Sequence, residues 1–433
     1  MKEKLALFLS EHIALDKDRI EKLIEIPPNH ALGDYAFPCF SLASKERGNP
    51  AEIAQKLSKE LQKKLPAEFE KLEAKGPYLN FFVDKELLIE TTIKQVLKDK
   101  DKYGSSNEGK GRTIVIEMSS PNIAKTFSVG HLRSTIIGNS LSKILEFKGY
   151  KIVKINYLGD WGTQFGKLIV AYKNWGKEKE LKKDPINYLL KLYVEFHNKA
   201  KNKPSLEDEA RSWFKKLEDG NKDALSLWKR FREFSIKEFG KLYEILGINF
   251  DEYSGESFYE NKANKAVEEL KKRGLVKESE GAEVIELESH GLGTALIRKK
   301  DGAKLYLTRD IAAAIDRYRK YNFHKMIYEV GKEQTLHFKQ LFKILEIMGY
   351  KWASQCVHVD HGLYLDKDGK KLSTREGKTF SMENLLEEAT MKAYNIIQEK
   401  NPSLKNKDKA AEIVGVGAII YGDLKNERTR DAV

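Results

Sequence analysis

At 433 residues, with 41% hydrophobic positions and 20 Phe and 19 Tyr, the chain excludes global disorder and implies more than one core. Its formal charge of +12 admits a polyanionic partner, although Lys and Glu are interspersed as on solvated helix faces. Two cysteines, Cys39 and Cys356, far apart and outside any C-x-x-C, exclude a disulfide framework and a cysteine-rich zinc site, and fit a reducing, cytoplasmic compartment.

Lys, Glu and Asp interrupt every apolar run near the N-terminus, which excludes a signal peptide. Nowhere does an apolar stretch approach the roughly 20 residues that cross a bilayer, so no membrane partner is expected. Residues 1–98 read as a small α+β unit. An amphipathic opening (Leu5, Phe8, Leu9, Ile13) leads to a run over Ile20–Ile26 that Pro27 and Pro28 stop. An extended stretch follows at His30–Phe40, then a helix over Pro50–Leu65 with Ile53, Leu57 and Leu61 on one face, then a strand at Pro77–Val83. Residues 99–112, rich in Gly, Ser and Lys, read as a linker.

Thr113–Leu145 carries the first chemistry. Ile114, Val115 and Ile116 predict a buried strand, and Ser119–Ser128 has the composition of a loop. Leu132, Ile136, Ile137, Leu141, Ile144 and Leu145 recur at helical spacing, so a helix is predicted from about Gly130 and His131. Such a helix start presents backbone N–H groups and a positive dipole end to an anion. A second strand, Lys151–Tyr157, ends in the glycine-flanked turn Leu158–Gly162, and a helix follows from Phe165. This alternation predicts an α/β, doubly wound, Rossmann-like parallel sheet with ligands at the carboxyl ends of its strands. Residues 113–173 form its first half. Residues 174–289 read as a largely helical insertion, in which Trp228, Phe231 and Phe234 fall at core spacing. Residues 290–380 supply the second half, with extended segments at Thr294–Arg298, Lys304–Asp310, Met326–Val330 and Val357–Val359 and a helix over Ile311–Tyr321. Residues 381–433 begin a helical region. His358, Asp360 and His361 sit in a strand-like segment without helical HExxH character, so no metal site is expected there.

SSPNIAK at Ser119–Lys125 followed by SVGHLRS at Ser128–Ser134 resembles the first signature of class I aminoacyl-tRNA synthetases, in the form of the arginyl-tRNA synthetases. LGDWGTQFG, GDYAFP and the LNF strand resemble the same family, and the likeness runs over essentially the whole chain. It implies a class I catalytic domain behind an N-terminal domain that touches the D-loop of tRNA, with Asn80 reading a base through an exposed amide and Tyr78 stacking. It implies ATP contacts from Ser128, Gly130 and His131, and from Lys371, Ser373 and Arg375 of KLSTR, which resembles the KMSKS loop. Ser128 stands where the first signature histidine usually is, and Thr374 replaces the second KMSKS lysine, a charge that Lys125 supplies in such chains. His131, Lys125 and Lys371 are then the catalytic candidates. Glu117, Ser120 and Asn122 match positions near the substrate's amino and carboxylate groups; Glu256, Tyr306 and Asp310 match those on its guanidinium; Gln334 matches another substrate-side position. Judged without the likeness, Glu256 suits a surface acid and Asp310 a helix N-cap. The implied activity is ATP-dependent ligation of L-arginine to tRNA(Arg) through an arginyl-adenylate, with Mg²⁺ accompanying ATP and no protein-bound zinc, in a monomer. The family's chain continues past KNER into a stem segment and a helical anticodon-binding bundle, so the alternative is a tRNA-binding or regulatory paralogue that does not charge tRNA efficiently.

Overall fold

The computed structural model describes every residue except 301, 303–304, 366–367, 370–380 and 433, and the side chain of residue 46. The chain divides into two compact units, Met1–Ser105 and Ser106–Val433.

The first unit runs α1 (Lys2–Ser10), α2 (Lys17–Leu23), β1 (Tyr35–Pro38), α3 (Phe40–Glu46), α4 (Pro50–Leu61), β2 (Phe69–Lys75), β3 (Tyr78–Val83) and α5 (Lys85–Asp99). Helix starts follow local chemistry. Asp16, Asn49 and Asp84 each accept a backbone N–H of the first turn, and Pro50 takes the position where a missing N–H costs nothing. The helix expected over Pro50–Leu65 ends at Leu61 and tightens into a 3₁₀ turn, Gln62–Lys64. β3 lies between β1 and β2 in an antiparallel sheet. Leu79, Phe81 and Val83 join the core with Leu5, Phe8, Ile20 and Phe37. Strand alternation therefore puts Tyr78, Asn80 and Phe82 on the opposite face.

The second unit is built on five parallel strands: β4 (Thr113–Glu117), β5 (Lys151–Leu158), β6 (Glu252–Gly255), β10 (Lys325–Gly331) and β11 (Cys356–His361). Their order is β11-β10-β4-β5-β6. The chain starts in the middle, builds outward through β5 and β6, then returns to the other side of β4 for β10 and β11. β4 and β10 thus flank the point where the winding reverses, and in such sheets ligands lie outside the strand ends at that point. Both faces of β4 are covered, which explains its unbroken apolar run. Ile114 and Ile116 pack in one layer with α6 (Leu132–Phe147) and α7 (Thr163–Trp175); Val115 packs in the other with α12 (Glu256–Lys272), α13 (Tyr306–Tyr321) and α14 (Thr335–Ile347).

Between β5 and β6, α7 is followed by α8 (Glu178–Lys183), α9 (Pro185–Asn202), α10 (Ser205–Glu218) and α11 (Lys222–Ile245). Trp228 and Phe231 are buried there, and Phe234 packs half-buried beside them. A small antiparallel sheet, β7 (Lys277–Ser279), β8 (Ala282–Glu286) and β9 (Thr294–Arg298), follows α12. The segment Thr294–Arg298, expected in the main sheet, is its third strand, so this sheet straddles residues 289 and 290. Tyr306–Asp310, expected as extended chain, is instead the beginning of α13. Leu307, Thr308, Ile311, Ala312, Ala314 and Ile315 are buried together, the i, i+1, i+4, i+5, i+7, i+8 pattern of one helix face, which a strand's alternation would split between two faces. α15 (Met382–Lys400) and α16 (Lys407–Leu424) pack as a pair, and α16 also lies on α6. Among the described residues no helix is long and apolar enough to cross a membrane.

Candidate active site

The loop after β4 is strained and heavily braced. Ser119, Ser120 and Ala124 hold φ of 71°, 48° and 55°, a left-handed region that costs a non-glycine residue about 1–3 kcal/mol and persists only where neighbours over-determine it. Those neighbours are visible. Ser119 N–H donates to Ser134 Oγ at 2.9 Å, and Ser134 Oγ donates to the Glu329 carbonyl at 2.8 Å. Ser119 Oγ is hydrogen-bonded to Tyr243 Oη at 2.7 Å and to Thr135 Oγ1 at 2.8 Å. Ala124 N–H donates to Ser235 Oγ at 2.8 Å. Asn122 lies so close to Gly159 that a Cβ at Gly159 would stand 2.2 Å from Asn122 Oδ1, so any side chain there would have to push the Asn122 amide aside.

A 3₁₀ turn, Val129–His131, leads into α6. Ser128 N–H donates to His131 Nδ1 at 3.2 Å, which leaves the neutral ring its proton on Nε2. Desolvation keeps the ring neutral, its pKa pushed down to about 4 against the opposing backbone hydrogen bond of Ser128. His131 is therefore a neutral donor at physiological pH. A cleft of about 700 Å³ at the ends of β4, β10 and β11 is lined by Ser120, Asn122, Lys125, Ser128, Gly130, His131 and Gln334. Asn122 and Lys125 also border a second cleft of about 700 Å³, shared with Tyr306 and with Tyr193, His197 and Lys201 of α9. The other ATP-side expectations, Lys371, Ser373 and Arg375, lie outside the described residues.

Beside these clefts lies a charged cluster. Glu117, the last residue of β4, pairs with Arg317 at 2.5 Å, and both are buried. The Arg317 guanidinium lies 5.2 Å from the centre of the Tyr157 ring and 5.8 Å from that of Tyr328. Burial pushes the Glu117 carboxyl up, and Arg317 opposes that push. Glu256 is the first residue of α12, which Asp160 anchors. One Asp160 oxygen accepts Ser257 N–H at 2.9 Å, the other accepts Ser257 Oγ at 2.8 Å and Arg232 Nε at 2.9 Å. The carboxylate approaches so closely that a Cβ on Gly255 would meet it at 2.6 Å. Glu256 is 7% exposed, and burial, with the charges of Asp310, Asp160 and Glu260, pushes its pKa up to about 8 against the pull of Arg309. Asp310, one turn into α13, accepts from His337 Nε2 of α14 at 2.7 Å. Tyr306 is 60% exposed at the mouth, with Arg309 5.2 Å from its ring centre.

The structure thus brings Glu117, Glu256 and Tyr306 each within electrostatic reach of Asp310, and groups Ser120, Asn122, Lys125, Ser128, Gly130, His131 and Gln334 around the first cleft. Two expectations are corrected. Asp310 is no N-cap, because α13 begins four residues earlier. Asn80 offers no exposed amide: it is 5% exposed in the central strand, hemmed by β1 and β2, while Tyr78 beside it is half-buried against Phe40. His358 and His361 face protein partners, the Val330 carbonyl at 2.9 Å and Glu329 at 2.8 Å. Sequence reasoning passed over Asp160, Arg309, Arg317 and His337. Asp160 lies inside LGDWGTQFG, Arg309 adjoins Asp310, and helical spacing would have brought His337 to the same end of its helix as Gln334. Arg317 carried no signal, since an arginine in the charged run DRYRK reads as surface.

Residues 92–433 match the family described as tRNA synthetases class I (R), catalytic domain, and residues 1–83 match Arginyl tRNA synthetase N terminal domain. The chain is 52% identical over 432 residues to the arginine--tRNA ligases of Clostridium perfringens and of Clostridium botulinum strain Alaska E43, covering 100% of this chain and 76% of each relative. Among solved structures it is similar to arginyl-tRNA synthetase from Plasmodium falciparum, with a TM-score of 0.72 and 26% identity over 100% of this chain and 75% of that one. The Thermus thermophilus arginyl-tRNA synthetase has the same fold at a TM-score of 0.75 and 23% identity, over 99% of this chain and 76% of that one.

Proposed function

The chain belongs to the class I arginyl-tRNA synthetases and is an arginine--tRNA ligase, and on that premise we propose how its cleft performs the ligation. The carboxylate of L-arginine attacks the α-phosphorus of ATP in line, the bond to the β-phosphate oxygen breaks, and pyrophosphate leaves. A terminal ribose hydroxyl of tRNA(Arg) then attacks the acyl carbon of the adenylate, and AMP leaves. Neither step needs an enzyme nucleophile, so positioning and charge stabilisation carry both.

Glu256, Asp310 and Tyr306 would hold the guanidinium, Glu117 the α-amino group, and Ser120 and Asn122 the carboxylate end, with Gln334 across from them. The neutral Nε2–H of His131 and the cation of Lys125 would meet the phosphates beside Ser128 and Gly130, joined by Lys371, Ser373 and Arg375. Mg²⁺ would arrive with ATP: the donors at this end of the cleft suit phosphate oxygens, and among the described residues no group of three His, Cys, Asp or Glu is placed to hold a metal ion. The second cleft, bordered by Tyr193, His197 and Lys201, suits an incoming tRNA end. Tyr78 and Asn80 remain the proposed D-loop contacts, which for Asn80 requires its neighbours to part. We take the protein to act as a cytoplasmic monomer.

The pair of carboxylates, Glu256 buried and Asp310 partly so, supports this reading best. Glu256 and Asp310 stand on packed helices beside the nucleotide cleft, and a planar cation answers two carboxylates better than any neutral side chain does. ATP–pyrophosphate exchange, with tRNA present, should respond to arginine among the twenty amino acids. Asp310→Asn should raise the KM for arginine roughly ten- to hundredfold, the worth of one charged hydrogen bond, and leave that for ATP within about twofold. Ordinary arginine kinetics in that variant would sink the assignment.

A further inference from the structure

Arg309 lies on α13 next to Asp310 and reaches across to α12. Its Nη2 is 3.4 Å from Glu256 Oε2 and its Nη1 is 3.2 Å from Glu260 Oε2. Glu256 and Glu260 are one helical turn apart, so a single planar fork spans both. Arg309, Glu256 and Glu260 have side chains only 8%, 9% and 15% exposed, so little water screens the cluster. The pairing with Arg309 engages only one oxygen of Glu256, Oε2, and leaves Oε1 outside it.

We infer that Arg309 is a positioning residue for arginine selection: by clamping Oε2 of Glu256 beside Glu260, it holds the other oxygen, Oε1, ready for the substrate guanidinium. The inference rests on the assignment of Glu256 made above. The surroundings explain why a clamp is needed. Glu256 faces Asp160 from the turn after β5, Tyr157 from β5 itself, Glu260 on its own helix, and Tyr306 and Asp310 on α13. Apart from Arg309 these groups are acidic or phenolic. A buried carboxylate in such company takes up a proton and loses the charge that would recognise a guanidinium. Arg309 is the cation that opposes this, and its fork leaves the recognising oxygen unblocked.

Calorimetric titration of the whole chain with L-arginine, and separately with ATP, tests the proposal on Arg309→Gln, Arg309→Lys and Glu256→Gln. At pH 7.5 Arg309→Gln should weaken arginine binding about ten- to hundredfold and leave ATP binding within about twofold. The loss should shrink as pH rises towards 9.5, because an unclamped Glu256 ionises late. Arg309→Lys should lose less, and Glu256→Gln should stay weak at every pH. Arginine binding that is unchanged or tighter in Arg309→Gln, while Glu256→Gln is weakened, would make Arg309 a bystander or a competitor and overturn the proposal. A loss of equal size at every pH would also overturn it, since that marks simple structural damage. If Arg309→Gln fails to fold, Arg309→Lys decides, and unchanged arginine affinity there overturns the inference. Normal arginine binding by Glu256→Gln, or none by the wild type, would instead overturn the pocket assignment itself.

Discussion

His337 and Asp310 form a pair whose charge answers to pH. Burial works against the imidazole's proton, but the hydrogen bond and charge of Asp310, aided by Glu117, outweigh it, and the pKa of His337 is raised. The unfolded chain's histidine titrates near about 6.5, and the folded chain binds that proton more tightly. The pair's contribution to stability is therefore complete below the unfolded value and is lost as pH rises through the raised folded one. Thermal melts of wild type and His337→Gln should differ most near pH 6, by about 1.5–3 kcal/mol, and converge towards pH 9. A gap that stays constant would show that no charged pair forms. Single residues were also where the sequence was least legible. Asp310 suited a helix cap on composition, and only the packing of α13 on α12 and α14 gives its carboxylate a partner. Arg317 looked like surface, because nothing local announces that Glu117 will be buried opposite it.

At the scale of elements, the start of α12 decides where Glu256 stands. The turn after β5 supplies Asp160, Gly255 makes room for its carboxylate, and Ser257 hangs from it by backbone and hydroxyl. Asp160 is fully buried and its partner Arg232 partly so. Asp160→Ala should lower stability by about 3–5 kcal/mol, the usual cost of breaking a buried charged pair, and should weaken arginine binding more than ATP binding. A wild-type urea midpoint for Asp160→Ala would mean that α12 is held by other contacts. The strand, loop and helix of Thr113–Leu145 were readable because each carries its own period or turn composition. Tyr306–Asp310 was not: tyrosine and threonine are good strand formers, and the paired apolar positions that mark a helix face appear only further on, at Ile311, Ala312, Ala314 and Ile315. Asn80 failed in the opposite way, since its strand was read correctly but its burial depends on flanking strands far off in sequence.

For the whole molecule the two substrate classes should respond differently to salt. The proposed arginine site would work through carboxylates that are buried or nearly so, where mobile ions screen little. A tRNA must instead be gathered by the excess of 77 Lys and Arg over 65 Asp and Glu, and each phosphate neutralised releases counterions. With about six phosphate contacts, tRNA affinity should fall on the order of 10³-fold between 50 and 200 mM salt. Arginine affinity over the same range should change by less than about threefold, since a buried charged hydrogen bond does not depend on the ion atmosphere. Binding of tRNA(Arg) and of L-arginine, measured in parallel across that range, checks both halves. If tRNA affinity were flat with salt, the positive charge would belong to solvated Lys–Glu faces, and recognition would have to come from base and ribose contacts such as those proposed for Tyr78. If arginine affinity fell as steeply as that for tRNA, Glu256 and Asp310 would be acting through water, and the buried cluster around Arg309 and His337 could not be the seat of the guanidinium.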